Sequence, residues 1–115
     1  MEHKIVIDTT SSLHLQEISE IVLITYLSCE RKIQITTSDL NVYSFKSSFN
    51  EFSKKFLDEF YFFKLDRGTV VNLHHIKAVD FKEEQILCTN NLSIYSSKKK
   101  LKELKDEILK YSTQL

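Results

Sequence analysis

Phe62-Phe63-Lys64-Leu65-Asp66-Arg67-Gly68-Thr69-Val70-Val71-Asn72-Leu73-His74-His75-Ile76 is the stretch on which the reading of this chain turns. It opens on aromatic and apolar residues, breaks at a short polar knuckle, resumes as a β-branched run and ends in a polar turn before another strand. The knuckle holds the only glycine of the 115 residues, Gly68, beside Arg67. A knuckle carried on two packed strands presents one arginine rigidly to a partner.

Short strand patterns extend on both sides. Upstream, Lys4-Ile5-Val6-Ile7-Asp8 and Lys32-Ile33-Gln34-Ile35-Thr36 alternate as half-buried strands do. Ile21 to Leu27 is nearly continuous in apolar residues, which suits a strand buried on both faces, and Leu40 to Ser44 is a further candidate. Ser28-Cys29-Glu30-Arg31 reads as a hairpin loop between two of these. Downstream, strands are predicted over 61–65, 69–72, 76–81, 85–89 and 92–96, with turns at Lys82-Glu83-Glu84 and Asn90-Asn91. Two segments change period. Phe49, Phe52, Phe56, Leu57 and Phe60 lie on one helical face, and Ser48 with Glu51 forms a capping-box pattern, predicting a helix near 48–59. Leu101, Leu104, Ile108 and Tyr111 predict a second helix over 98–111, capped by Ser96 or Ser97. The expected fold is mainly β (α+β), antiparallel, in a single domain spanning 1–115.

Composition sets the class. With 42% hydrophobic and 28% charged residues the chain is an ordinary globular protein, and at this length about two thirds of its surface can be buried without a disulfide or metal. Cys29 and Cys88 are far apart and form no CxxC pair, which suits a reducing compartment. Residues 1–30 show no basic segment followed by an apolar run, so a cytoplasmic protein without signal peptide or membrane span is expected. Net charge is zero, yet unevenly spread. Glu2, Asp8, Glu17, Glu20 and Glu30 face only Lys4 in the first 30 residues, whereas bases outnumber acids thereafter. Arg31-Lys32 and Lys98-Lys99-Lys100 are the local basic segments.

Chemical motifs are missing. One glycine excludes GxGxxG and P-loops, and no HxxxH, HExxH or nucleophile-elbow spacing occurs. His74 and His75 are adjacent, so on a strand they would face opposite sides and not share a metal. No enzyme, cofactor, metal or small-molecule substrate is expected. Lys98-Lys99-Lys100 opens a helix with the charge its dipole disfavours. A bound phosphate would offset that cost, and solvation of a lysine patch is the alternative.

The order of these pieces resembles the LytTR family of bacterial DNA-binding domains. The family's signature runs roughly Phe-Phe-Arg-Val-His-Arg-Ser-Tyr-Ile-Val-Asn, matched here by Phe62 to Asn72. Its Ile-x-x-Ile segment is similar to Glu17 to Ile24, its Val-Asn-x-x-x-Ile to Val71 to Ile76, and its Val-Ser-Arg-Arg segment to Tyr95 to Lys100. The resemblance covers about residues 4–111. It implies an elongated β fold whose loops enter successive major grooves at repeat sites, as the output module of a two-component response regulator or as a standalone transcription regulator.

The partners implied are double-stranded DNA carrying promoter repeats, a second copy bound on it, and a receiver domain; a membrane protein is the partner in the competing reading below. The DNA-binding positions implied are Arg31 with Lys32, Asp66 with Arg67, and Lys98, Lys99 and Lys100. Arginine suits guanine O6 and N7, and lysine suits phosphate. Asn72 is expected to hydrogen-bond the turn after its strand. The sequence departs from the family at Asp66, where histidine is usual, at Gly68 and Thr69 in place of serine and tyrosine, and at the terminal lysines in place of arginines. An interaction module on the same fold that has lost DNA binding is the competing expectation.

Overall fold

The computed structural model describes residues 4–8, 11–54 (Ser53 by its backbone alone) and 61–113. Among them the chain forms β1 (Lys4–Asp8), β2 (Leu13–Glu17), β3 (Ile21–Leu27), β4 (Lys32–Thr37), β5 (Val42–Lys46), α1 (Phe49–Lys54), β6 (Phe62–Asp66), β7 (Thr69–Asn72), β8 (Ile76–Asp80), β9 (Gln85–Cys88), β10 (Ser93–Tyr95) and α2 (Lys98–Lys110). The central sheet has the order β5-β4-β3-β7-β6, flanked by a β1-β2 ribbon and a β10-β9-β8 sheet. Every pairing is antiparallel. The molecule is elongated, 47 × 31 × 25 Å.

Strand periodicity explains why the central strands are apolar without interruption. Neighbouring residues point to opposite faces, and this sheet has a core on each. Ile21 and Ile24 of β3 and Val70 of β7 join Ile7, Ile33, Ile35, Phe62 and the α1 residues Phe49 and Phe52 in one core. Val22 of β3 and Val71 of β7 join Leu65, Ile86, Cys88 and the α2 residues Leu101 and Leu104 in the other. Burying each such side chain is worth about 1.5–3 kcal/mol. Asn72 ends β7 between the two cores and is buried, its amide Nδ2 donating to the Ile21 carbonyl at 2.8 Å while its Oδ1 accepts from His74 N at 3.0 Å. The expected turn-bonding role of Asn72 is thus present, with a second bond that pins β7 to the start of β3.

Several boundaries differ from the sequence expectation. β2 was not anticipated. Its Leu13 is 62% exposed while Gln16 is 8% exposed, so the alternation is present with reversed polarity. β5 begins two residues later than expected, because Thr37 to Asn41 closes a turn in which Leu40 adopts a positive φ of 69°. His74 and His75 lie in a 3-10 turn over Leu73–His75, not on a strand. His75 bonds the Ser19 carbonyl and Thr89 Oγ1, and His74 meets the Tyr61 ring edge-on at 4.5 Å. The first helix starts where its phenylalanines and Ser48 placed it. Residues 55–59 of the expected span lie outside the described residues.

Candidate nucleic-acid interface

Two loops and one strand–helix junction meet at one end of the central sheet. The β6–β7 knuckle is shaped by Asp66, whose Oδ1 accepts from Gly68 N at 2.9 Å. The Gly68 carbonyl in turn accepts from Tyr26 N at 2.7 Å, tying the knuckle to β3. Gly68 does not take a positive φ. Its value is closeness: a Cβ there would lie 3.3 Å from the Tyr26 carbonyl oxygen and 3.5 Å from Tyr26 Cβ. Arg67 is exposed at the tip of a turn fixed by these two bonds.

The β3–β4 loop carries Arg31 on a turn closed by two longer bonds, of 3.2 and 3.3 Å. Glu30 N donates to the Leu27 carbonyl and Arg31 N to the Ser28 carbonyl. Arg31 has a φ of 52°, in the left-handed region. A residue with a Cβ pays about 1–2 kcal/mol to sit there, which glycine avoids. Leu40, Tyr61, Glu84 and Asn91 share this conformation, so it marks the turn and not a role for the arginine.

Both arginines line one open groove of about 940 Å³. Its other walls are Tyr26, Ser28, Gly68 and the β5–α1 junction, Lys46 to Asn50. Among the described residues, ion pairs link Lys4 to Glu17, Lys100 to Glu103 and Lys110 to Glu107. Arg31, Arg67 and Lys46 take part in none of them. The groove therefore offers cationic donors over a partly aromatic floor, a setting that suits an extended polyanion.

The remaining expected positions fall elsewhere. Lys32 stands directly opposite Lys46 in the β4–β5 ladder and does not itself line the groove. Asp66 spends its carboxylate on the knuckle's own backbone. Lys98 and Lys99 are exposed in the first turn of α2, which Ser97 caps by accepting from Lys100 N at 3.3 Å. Lys100 is half-buried; its ammonium lies 3.0 Å from Glu103 and 5.8 Å from the centre of the Phe63 ring. These contacts offset part of the cost of placing cations at a helix N-terminus. None of the three lysines lines the groove. Lys46, Ser47, Ser48 and Asn50 do, and were not anticipated; the signal available was a lysine followed by two serines just before a helix.

Elsewhere, burial raises the Cys88 thiol to about 11, so Cys88 acts as an apolar core residue, while Cys29 is exposed in the β3–β4 loop. No three His, Cys, Asp or Glu side chains gather into a metal site among the described residues. No helix among them is long and apolar enough to cross a membrane.

A family model described as the LytTr DNA-binding domain matches residues 11–109. Among solved structures, the chain is similar to the LytTr DNA-binding domain of a protein described as a methyl-accepting/DNA response regulator from Bacillus cereus. The two share 18% identity with a TM-score of 0.71, over 92% of this chain and 96% of that one. No curated protein matches the sequence.

Proposed function

The chain belongs to the LytTR family of DNA-binding domains, and we propose that it is a sequence-specific transcription regulator that inserts loops into successive major grooves at repeated sites. One observation carries this reading. Arg31 and Arg67 sit on two independently pinned turns, face one open groove, and form no ion pair among the described residues. A guanidinium carried on such a turn can make the bidentate pair with guanine O6 and N7 that discriminates bases by about 1–3 kcal/mol. Lys32 and the α2 lysines Lys98 and Lys99 supply phosphate contacts that set register. Arg31 and Arg67 line one groove and so would enter the same major groove, while the 47 Å long axis, which exceeds one duplex turn of about 34–36 Å, gives the molecule the length to reach a second.

The family's usual histidine is replaced by Asp66, whose Oδ1 accepts from Gly68 N and shapes the knuckle while its carboxylate stays exposed beside Arg67. Regulation in a bacterial cytoplasm, as a two-component output or alone, follows from the same reading. A second reading, docking to a protein, is favoured by one feature. The outer face of the β1-β2 ribbon exposes Val6 and Leu13 at 59% and 62%, with Leu15 paired to Val6.

Affinity against salt, measured on a pool of promoter fragments and on scrambled duplex, separates the two. A steep loss with salt and enrichment of spaced repeats are expected. No binding at low salt would overturn the DNA reading.

A further inference from the structure

The β4–β5 ladder places Lys32 and Lys46 directly opposite each other. Opposed residues share a face, with Cβ atoms about 4.5–5.5 Å apart, and like charges in that relation destabilise the sheet. Ordinary selection for stability places an acid opposite a lysine at an exposed edge. Neither lysine has such a partner among the described ion pairs. The pair closes the end of β5, an edge strand, next to the left-handed Arg31. Lys46, Ser47 and Ser48 also line the groove that holds Arg31 and Arg67. Two lysines on one face, with two hydroxyl-bearing residues continuing from one of them, complement the negative charge and the acceptor oxygens of a phosphodiester.

From this juxtaposition we infer that Lys32 and Lys46, with Ser47 and Ser48, form a clamp for a backbone phosphate of the DNA that Arg31 and Arg67 contact. Lys46, Ser47 and Ser48 add a contact from the β5–α1 junction to the one already proposed for Lys32. It rests on the DNA reading of the groove. Its role is sequence-blind: it locks the duplex in the register from which Arg31 and Arg67 read bases. The mutual repulsion of the two lysines is relieved only when the anion is present, so the sheet edge is less stable free than bound.

The test compares the full chain with Lys46→Ala and Lys46→Glu, on the best duplex from the promoter pool and on scrambled duplex. Lys46→Ala should weaken both by the same factor, and should flatten the slope of log affinity against log salt by about 0.9, the loss of one neutralised phosphate. Lys46→Glu should weaken binding further while raising the melting temperature at low salt, because a carboxylate then faces Lys32. An unchanged salt slope in Lys46→Ala, with the unaltered chain still binding, would overturn the clamp and leave the DNA reading intact. Loss confined to the selected duplex would overturn it as well, since Lys46 would then be reading a base. A lowered melting temperature in Lys46→Glu would remove its electrostatic premise. Failure of the unaltered chain to bind either duplex would overturn both.

Discussion

The molecule carries two cationic regions built on opposite plans. In the groove, Arg31 and Arg67 sit on short turns whose backbones are fixed by hydrogen bonds, a left-handed φ and the close approach of Gly68 to Tyr26. Their charged ends are left without ion pairs among the described residues. At the start of α2 the backbone is an ordinary capped helix, and one of its three charges is already met by Glu103 and the Phe63 ring. The first plan fixes the backbone that carries the cation and leaves its charge free. The second leaves two long, mobile side chains over a helix end. Base recognition needs the first, because a bidentate pair tolerates little displacement. Phosphate contact needs only the second, because a point charge has no orientation to keep.

Asn72 stands between the two plans, and removing it should have the largest effect. Asn72→Ala strips the partner from the Ile21 carbonyl and from His74 N at a buried site. A loss of about 2–3 kcal/mol in urea unfolding is expected. It should fall on both regions together, because β7 contributes to both cores. Unchanged unfolding would mean that the two halves of the molecule are not joined through this residue.

Arg67→Ala comes next and bears on the contrast directly. Affinity for the best duplex should fall by about 1–3 kcal/mol, with little change on scrambled duplex. Equal loss on both would place Arg67 with the lysines and erase the distinction between the regions.

Arg31→Gly tests whether the groove stores strain for use. Glycine takes the left-handed conformation freely, so the fold should gain up to about 1 kcal/mol while specific DNA affinity falls. A variant that is no more stable than the parent would show that Arg31 is accommodated there without cost.

How much of this was legible in the sequence differs between the two regions as well. The strands of the central sheet were readable because burial on both faces demands unbroken apolar runs, as at Ile21 to Ile24 and Val70-Val71. α2 was readable from the spacing of Leu101, Leu104 and Ile108. β2 was not, because Leu13 and Leu15 face outward while His14 and Gln16 turn inward, His14 stacking on Tyr43 at 4.3 Å. Arg31 and Arg67 were named from their place in loops and from family resemblance. That they share a groove is a property of the register Leu23↔Val71, Ile24↔Val70, Thr25↔Thr69, which sets the β3 end beside the β6–β7 knuckle. Lys46 was hidden for the same reason: nothing in its local sequence says that Lys32 stands opposite. The role of Asp66 was hidden too, since the chain alone does not show whether a carboxylate faces a ligand or its own turn.

The smallest expected effects lie within α2, where Lys99 and Lys100 are neighbours with different surroundings. Lys99 is exposed and has no ion pair among those described, so Lys99→Ala should leave stability unchanged and weaken binding to every duplex alike, flattening the salt slope by about 0.9. Lys100 is held by Glu103 and lies over Phe63. An exposed ion pair is worth about 0–1 kcal/mol and a cation–π contact at such a site about 0.5–1 kcal/mol. Lys100→Ala should therefore cost about 0.5–2 kcal/mol of stability and leave the salt slope near that of the parent. If instead Lys100→Ala flattens the slope as much as Lys99→Ala does, the Glu103 pair opens on DNA. The α2 region would then act as a three-lysine phosphate contact whose third charge is held in reserve by its own helix.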